Sequence, residues 1–519
     1  MFRIASVAFI CITVLDAVSP ITLAASDKPN ILLIMSDDHA AHGIGAYGGR
    51  LASLNPTPNI DRLAKEGVRL QNCFCTNSIC VPSRASIITG QYSHRNGCRT
   101  LNYGIEGERQ TFAHAMKTGG YETAIIGKWH LKHEPKAFDF YTVLPGQGSY
   151  FNPIFRTRGP NSWPNNTIRA AKYDCVHSSD AITDISLNWL RNRKSDKPFF
   201  LMHHFKAPHD NFENAERYDW LYKDIEIPEP ESLTHRGNHG PRNYPQYGTS
   251  VSKRNTRRNM GHHMFVDETL NDEEYTKETY QRYLKKFLRC VKGVDDNIGR
   301  LIKQLEATGE LDNTVIIYTA DQGFMLGEHD YIDKRWVYEE SLRMPFVIRY
   351  PKRFNPGGVN EDIVNNVDFA PTVLELAGIT DQPSEFQGRS FVGNLEGKTP
   401  LDWPDATYYR YWMHMTHHDN PAHYGIRTKT HKLIFFYGLP LDAKGALQEP
   451  TPAHWELYDL VNDPHEMNNL YGQPDQAAIA NRLKRELLKL KKKIGDTDEQ
   501  YAELMAVRKA AWVESLGIA

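Results

Sequence analysis

The chain has 519 residues, 40% of them apolar and 24% charged, with 61 Lys and Arg against 63 Asp and Glu. That composition excludes extended disorder and gives enough apolar side chain for one large core plus a smaller second unit. A formal charge of −2 supplies no general attraction to nucleic acid. Beyond the N-terminus no stretch is long and apolar enough to cross a bilayer, so no membrane anchor is expected and binding has to be argued from local sites.

In chain order, Arg3, an apolar run over 4–15 and small residues ending at Ala24 and Ala25 read as a secretory signal peptide over 1–25. Export to the periplasm or exterior is expected, with a mature chain starting near Ser26. Cys11 lacks the Leu-Ala-Gly-Cys type of setting that lipid attachment needs. The cysteines beyond it, Cys73, Cys75, Cys80, Cys98, Cys175 and Cys290, are too few in so long a chain for a disulfide scaffold. Cys73, Cys75 and Cys80 also lack the paired C-x-x-C spacing of a zinc site.

Five short apolar runs each end in polar residues: "NILLIMSDDH" (30–39), "ETAIIGKWHLKH" (122–133), "PFFLMHHFKAPHD" (198–210), "NTVIIYTADQG" (313–323) and "MPFVIRYP" (344–351). Unbroken runs rich in β-branched residues predict strands buried on both faces of a parallel sheet. Helical patterns, with apolar residues at three- and four-residue spacing, separate them at 58–67, 179–194 and 283–309. The sum is an α/β layered domain. In such sheets ligands bind beyond the carboxyl ends of the strands. Those ends supply Asp37, Asp38, Lys128, His130, His209, Asp321 and Gln322.

The stretch "SICVPSRASIITG" (78–90) predicts a helix with Pro82 in its first turn, which puts Cys80 at the helix N-terminus and Arg84 one turn on, a setting suited to an anion. Asp37, Asp38 and Asp321 with the amide oxygen of Gln322 form a hard oxygen set suited to Ca²⁺ or Mg²⁺. An extended "GKWH" would point Lys128 and His130 to one face and turn Trp129 away. Three irregular regions rich in aromatic and polar residues, 138–160, 244–265 and 408–438, are the expected readers of a substrate. The segment 476–495 predicts a terminal helix with Leu483, Leu487 and Leu490 on its packed stripe and a solvated basic face around it, the alternative being a track for an anionic polysaccharide.

These motifs resemble the type I, formylglycine-dependent sulfatases of the alkaline-phosphatase superfamily, from about residue 30 to 470. The resemblance rests on Cys80-Val81-Pro82-Ser83-Arg84 followed by Thr89-Gly90, on "SDDH", "GKWH", "APHD" and "ADQG", on "DKRWVYEESLRMPF" and on "WELYDLVNDPHEMNNL". It implies a large mixed sheet sandwiched by helices over 26–385, and a smaller C-terminal α+β subdomain over 386–519 with an antiparallel sheet and a helix. It implies that a maturation enzyme converts Cys80 to formylglycine, whose hydrate is the nucleophile. A hydrate suits an exported enzyme because a thiol is easily oxidised, and one of its two hydroxyls can attack while the other later expels sulfate. By the same resemblance Asp37, Asp38, Asp321, Gln322 and one oxygen of modified Cys80 hold the metal. Arg84, Lys128 and Lys334 are the cations, His130 is the base and His209 is the acid for the leaving sugar oxygen. Gln322 stands where the family more often has Asn or His, and Val81 where it often has Ser, Thr or Pro.

The implied substrates are sulfate esters of carbohydrates, such as glycosaminoglycan or algal polysaccharide fragments, with His423 and Arg427 of the C-terminal subdomain reaching the sugar. The same chemistry also suits a phosphodiesterase or phosphonate monoester hydrolase. A non-catalytic sulfated-glycan-binding protein would require Cys80 to stay unconverted.

Overall fold

The computed structural model describes residues 28–513 except 171–176, 194–196, 236 and 239–243. Residues 1–25, expected from the sequence to be a signal peptide, lie outside the described residues. One mixed sheet contains β1 (Asn30–Asp37), β2 (Val68–Phe74), β3 (Glu122–Lys128), β4 (Phe140–Leu144), β5 (Ile154–Thr157), β6 (Thr167–Arg169), β7 (Phe199–Pro208) and β8 (Thr314–Ala320). After a hairpin of β9 (Met325–Leu326) and β10 (Ile332–Asp333), β11 (Phe346–Arg349) and β12 (Gly358–Asn365) complete it. The order is β12-β2-β11-β8-β1-β7-β3-β4-β5-β6. The central strands β8, β1, β7, β3 and β4 are parallel, whereas β11 runs antiparallel to both β8 and β2.

Every residue of β1 and β8 is buried, which explains why their sequences do not alternate. Ile31, Leu33 and Met35 enter one core with Ile87, Ile88, Phe112 and Phe369. Leu32 and Ile34 enter the opposite core with Ile182, Ile185, Leu284, Leu288 and Ile298. Helices therefore cover both faces, as anticipated. The helix anticipated at 283–309 begins earlier, at Asp272. Asn271 caps it by accepting from the Glu274 N–H at 3.0 Å, and Asp272, Glu273 and Glu274 complement the dipole of its first turn.

A second, antiparallel sheet holds β13 (Ala406–Tyr411), β14 (His423–Thr428), β15 (His431–Phe436) and β16 (His454–Asp459) in sequence order. The helix Ala477–Ile494 packs on it through Leu483 and Leu487. Its basic face is not uniformly solvated, which corrects the sequence reading. The Lys484 ammonium sits 4.6, 4.9 and 5.0 Å from the ring centres of Trp455, Trp512 and Tyr471. The Lys491 ammonium lies 3.8 Å from the Tyr424 ring centre and 2.9 Å from Asp498. Long lysine stems let both residues fill apolar space while their heads find π faces or a carboxylate.

Candidate active site

The parallel strands deliver the site at their common carboxyl edge. β1 ends at Asp37, β8 is followed directly by Asp321 and Gln322, β7 by His209, and β3 ends at Lys128. The pairings Ser36 with Ala320 and Asp37 with Pro208 place Asp321 and His209 on either side of the β1 end. Cys80 heads the wholly buried helix Cys80–Thr89 after an extended Ile79. Several residues here hold left-handed backbone without being glycine: Asp38 (φ 65°), His130 (φ 57°), Asp333 (φ 79°) and Arg335 (φ 82°). Such conformations cost about 1–3 kcal/mol each and concentrate where side-chain aim matters more than local comfort.

Ligand-type oxygens of Asp37, Asp38 and Asp321 lie within 4.8 Å of one another, as do the corresponding atoms of Asp37, Cys80 and His209. Three cations counter the three carboxylates. Lys128 binds Asp37 and, at 2.5 Å, Gln147 Oε1. Lys334 Nζ is 2.5 Å from Asp38 Oδ2. Arg84 Nε donates to Asp321 Oδ2 at 2.9 Å, and its Nη1 donates to the Lys128 carbonyl at 2.7 Å. The Asp38 N–H also donates to Asp321 Oδ1 at 3.2 Å.

Burial opposes ionisation of Asp37, yet Lys128, His209 and Arg84 hold its carboxyl well below the usual range. Asp321 is pushed up to about 8 by burial and the Asp37 charge. Among the described residues Asp37 Oδ1 and Gln322 Oε1 are buried acceptors without a hydrogen bond, Asp37 Oδ1 facing Arg84 Nη2 at 3.7 Å. A crowded set of oxygen acceptors, two of them without a hydrogen bond, fits a hard divalent cation. The Gln322 amide N–H₂ meets Asp38 Oδ1 and lies 4.0 Å from Cys80 Sγ. The Cys80 thiol is pushed up by burial and by Asp37, which keeps the sulfur protonated and weakly nucleophilic.

His209 Nε2 is 3.6 Å from Asp38 Oδ2, and its Nδ1 faces the Asp210 carboxylate and, at 2.7 Å, the Asp210 carbonyl. His130 reaches the same centre by a different route from the one the sequence suggested. β3 stops at Lys128, and the left-handed turn at His130 replaces strict alternation. Burial and the Lys128 charge hold the His130 imidazole well below its ordinary value, and its Nδ1 has no hydrogen-bond partner among the described residues.

Two expected sugar contacts are corrected. His423 is fully buried, with its ring 4.8 Å from Phe436 and 5.6 Å from Tyr409, and its Nδ1 on the Pro421 carbonyl at 2.7 Å. Arg427 is buried between Phe74 and Glu339, donating to the carboxylate at 3.1 and 3.2 Å. Both serve the junction between the small sheet and the main domain.

Gln147 and Asp210 were missed as individuals, although the first lies in the marked region 138–160 and the second closes "APHD". His418 lies in the marked region 408–438. It faces Asp333 at 3.7 Å and pairs with Thr249 Oγ1 at 2.9 Å. Beside His209 a cavity of about 110 Å³ is walled by Asp210, Thr249, Arg257, Arg258, His417 and His418. On the other side His130 opens on a space of about 280 Å³ bounded by Trp129, Arg156 and Trp163. A larger polar cavity of about 620 Å³, lined by Asp180, Asp296 and Arg300, gathers none of the groups above.

A family model described as "Sulfatase" matches residues 29–379, and one described as "N-sulphoglucosamine sulphohydrolase, C-terminal" matches 327–493. An N-acetylglucosamine-6-O-sulfatase of Bacteroides thetaiotaomicron is 38% identical, the match covering 92% of this chain and 88% of the relative. A solved structure of a protein in complex with its substrate D-glucosamine-2-N,6-O-disulfate is 37% identical, with a TM-score of 0.78 over 92% of this chain and 100% of the other. A phosphonate monoester hydrolase from Silicibacter pomeroyi, at 21% identity, TM-score 0.69 and coverage of 92% and 98%, shares the fold. With its central sheet and strand-end residues inside the matched region, the chain belongs to the sulfatase family and is a sulfuric ester hydrolase.

Proposed function

We propose that the enzyme is an exported carbohydrate sulfatase that removes the 6-O-sulfate of glucosamine-type residues. In this reading a maturation enzyme makes formylglycine from Cys80, and Asp37, Asp38, Asp321 and Gln322 hold Ca²⁺ or Mg²⁺. The observation that carries it is Cys80 at the head of a buried helix, with its Sγ beside Gln322 and its ligand-type atom within 4.8 Å of those of Asp37 and His209. The glucosamine 6-O-sulfate class is supported by the 38% identity to an N-acetylglucosamine-6-O-sulfatase across nearly the whole chain.

When bound, the cation together with the formylglycine supplies an acidified hydroxyl nucleophile and neutralises charge on the sulfo group. The side chains of the protein do the rest. Arg84 Nη2 is buried, faces Asp37 Oδ1 at 3.7 Å and makes no hydrogen bond among the described residues, which leaves it N–H capacity for a sulfo oxygen. Lys128 and Lys334 add fixed positive charge, each aimed by a carboxylate. Asp210 anchors Nδ1 of His209, so Nε2 is the atom that hands a proton to the departing sugar oxygen. His130, kept neutral, is the group that takes a proton from the hydroxyl.

The test pairs peptide mass spectrometry across residue 80, on native or maturase co-expressed protein, with turnover of N-acetylglucosamine 6-sulfate against matched phosphate and phosphonate esters. Aldehyde oxygen in place of sulfur and preference for the sulfate ester are expected. Preference for the phosphorus esters would move the enzyme to the phosphonate hydrolase class, and intact Cys80 in native material would leave a glycan-binding protein.

A further inference from the structure

We propose that the basic wall of the cavity beside His209 is a subsite for a second anionic group of the glycan, so that the enzyme prefers 6-sulfated glucosamine carrying another negative charge. This rests on the carbohydrate sulfatase reading and adds to it the chemistry of the preferred substrate.

Arg257 and Arg258 are neighbours in the chain, and both lean on one carboxylate. Arg257 Nη2 is 2.5 Å from Asp419 Oδ1, and Arg258 Nε is 3.2 Å from Asp419 Oδ2. The Asp419 side chain is 1% exposed, while those of Arg257 and Arg258 are 65% and 39% exposed. Asn255 Nδ2 also donates to Asp419 at 3.3 Å, so the carboxylate is well satisfied with one arginine. Two guanidinium charges against one carboxylate leave positive charge at the wall. Each arginine uses one N–H edge to hold its place. Their backbone N–H groups donate to Asn255 Oδ1 at 3.1 and 3.0 Å, and their other guanidinium N–H groups have no further hydrogen-bond partner among the described residues.

The cavity connects this wall to the chemistry. Asp210 lines the cavity and holds His209, so the space opens where the sugar oxygen would leave. His262, His263, His417 and His418 also line the space, and the first two are exposed. Among the described residues the one carboxylate walling the space, Asp210, is engaged by His209. A planar guanidinium anchored along one edge presents a fork that matches a sulfate or carboxylate. A loop clamp alone would need neither the second arginine nor its exposure toward the cavity.

The measurement is kcat/KM of the matured, metal-loaded enzyme on three esters: N-acetylglucosamine 6-sulfate, glucosamine 2-N,6-O-disulfate, and a disaccharide joining 6-sulfated N-acetylglucosamine to a uronic acid. Wild type is expected to favour at least one doubly charged ester by about tenfold, the worth of one well-placed charge-assisted contact. The arm that shows the preference identifies the second group as sulfo or carboxylate. Arg257→Gln should bring the ratio near unity, with a larger loss on the doubly charged ester than on the monosulfate, and Arg257→Lys should restore part of it. The wild-type ratio should also fall with added salt, a readout that does not depend on the variant folding. Equal use of all three esters, a salt-independent ratio, or equal loss on every ester in folded Arg257→Gln would overturn the proposal. Inactivity of converted wild type on all three esters would instead overturn the underlying reading, and this proposal with it.

Discussion

His209 is held by Asp210: its Nδ1 faces the Asp210 carboxylate, and Nε2 is left toward the catalytic centre. Burial raises the Asp210 carboxyl, but His209 and Lys334 hold it well below the usual range, so it stays an anion and a firm acceptor. His209→Ala should reduce kcat on a sugar 6-sulfate by roughly 10²–10⁴-fold. Asp210→Asn should give a smaller loss in the same direction. Both variants should spare 4-nitrophenyl sulfate, whose leaving group needs no proton. Equal losses on the two substrates would remove His209 from the acid role.

Cys80→Ala should abolish turnover while leaving the fold intact, because the side chain lost is small and only a weak contact to Gln322 goes with it. A shift in Tm of no more than about 1 °C is expected, the equivalent of roughly 1 kcal/mol in a chain of this size. Residual turnover above about one part in 10³ would argue against a nucleophile at residue 80.

The acceptors Asp37 Oδ1 and Gln322 Oε1, which lack a hydrogen bond among the described residues, predict that exhaustive chelation inactivates the enzyme and that Ca²⁺ or Mg²⁺ restores it. Unchanged activity in demonstrably metal-free protein would contradict the ligand assignment.

Glu340 is buried in the short helix Glu339–Leu342, close to Glu328, Glu466, His329 and Lys432. Burial, then the charges of Glu328 and Glu466, push its carboxyl from 4.5 up to about 8. The folded protein therefore binds this proton more tightly than the unfolded chain does. The stabilisation is complete below the unfolded value and is lost as pH rises through about 8. Tm should fall between about pH 4.5 and pH 8, and Glu340→Gln should flatten that part of the profile. An unaltered profile in the variant would assign the loss elsewhere.

Asp496 Oδ1 accepts from Arg410 Nη1 at 2.6 Å, and the Arg410 guanidinium lies 3.5 Å from the Trp412 ring centre. Asp496→Ala would leave a buried guanidinium without its main counter-charge, a change that costs about 3–5 kcal/mol. A drop in Tm should result, with kcat of the remaining folded enzyme close to wild type. A Tm within 1 °C of wild type would show that another group replaces the carboxylate.

The strand runs and their polar ends were legible because a strand buried on both faces writes an unbroken apolar segment, and the chemistry must follow where that segment stops. This held for β1, β7 and β8, and with them for Asp37, Asp38, His209, Asp321 and Gln322. The helix that starts at Cys80 was legible from Pro82 and the apolar residues after it. Sequence could not decide which face of β14 would be covered. Tyr424 and Ile426 pack toward the helix Ala477–Ile494, while His423 stacks near Trp336 and Arg427 pairs with Glu339. The side chains of His423 and Arg427 are therefore buried at the junction between the small sheet and the main domain. Tertiary structure likewise took Lys484 and Lys491 out of solvent, and brought Gln147, Asp210, His418 and the Arg257–Asp419–Arg258 cluster to the cleft. Local pattern records what a residue's own segment buries, whereas these placements depend on segments distant in the chain meeting at one edge of the sheet.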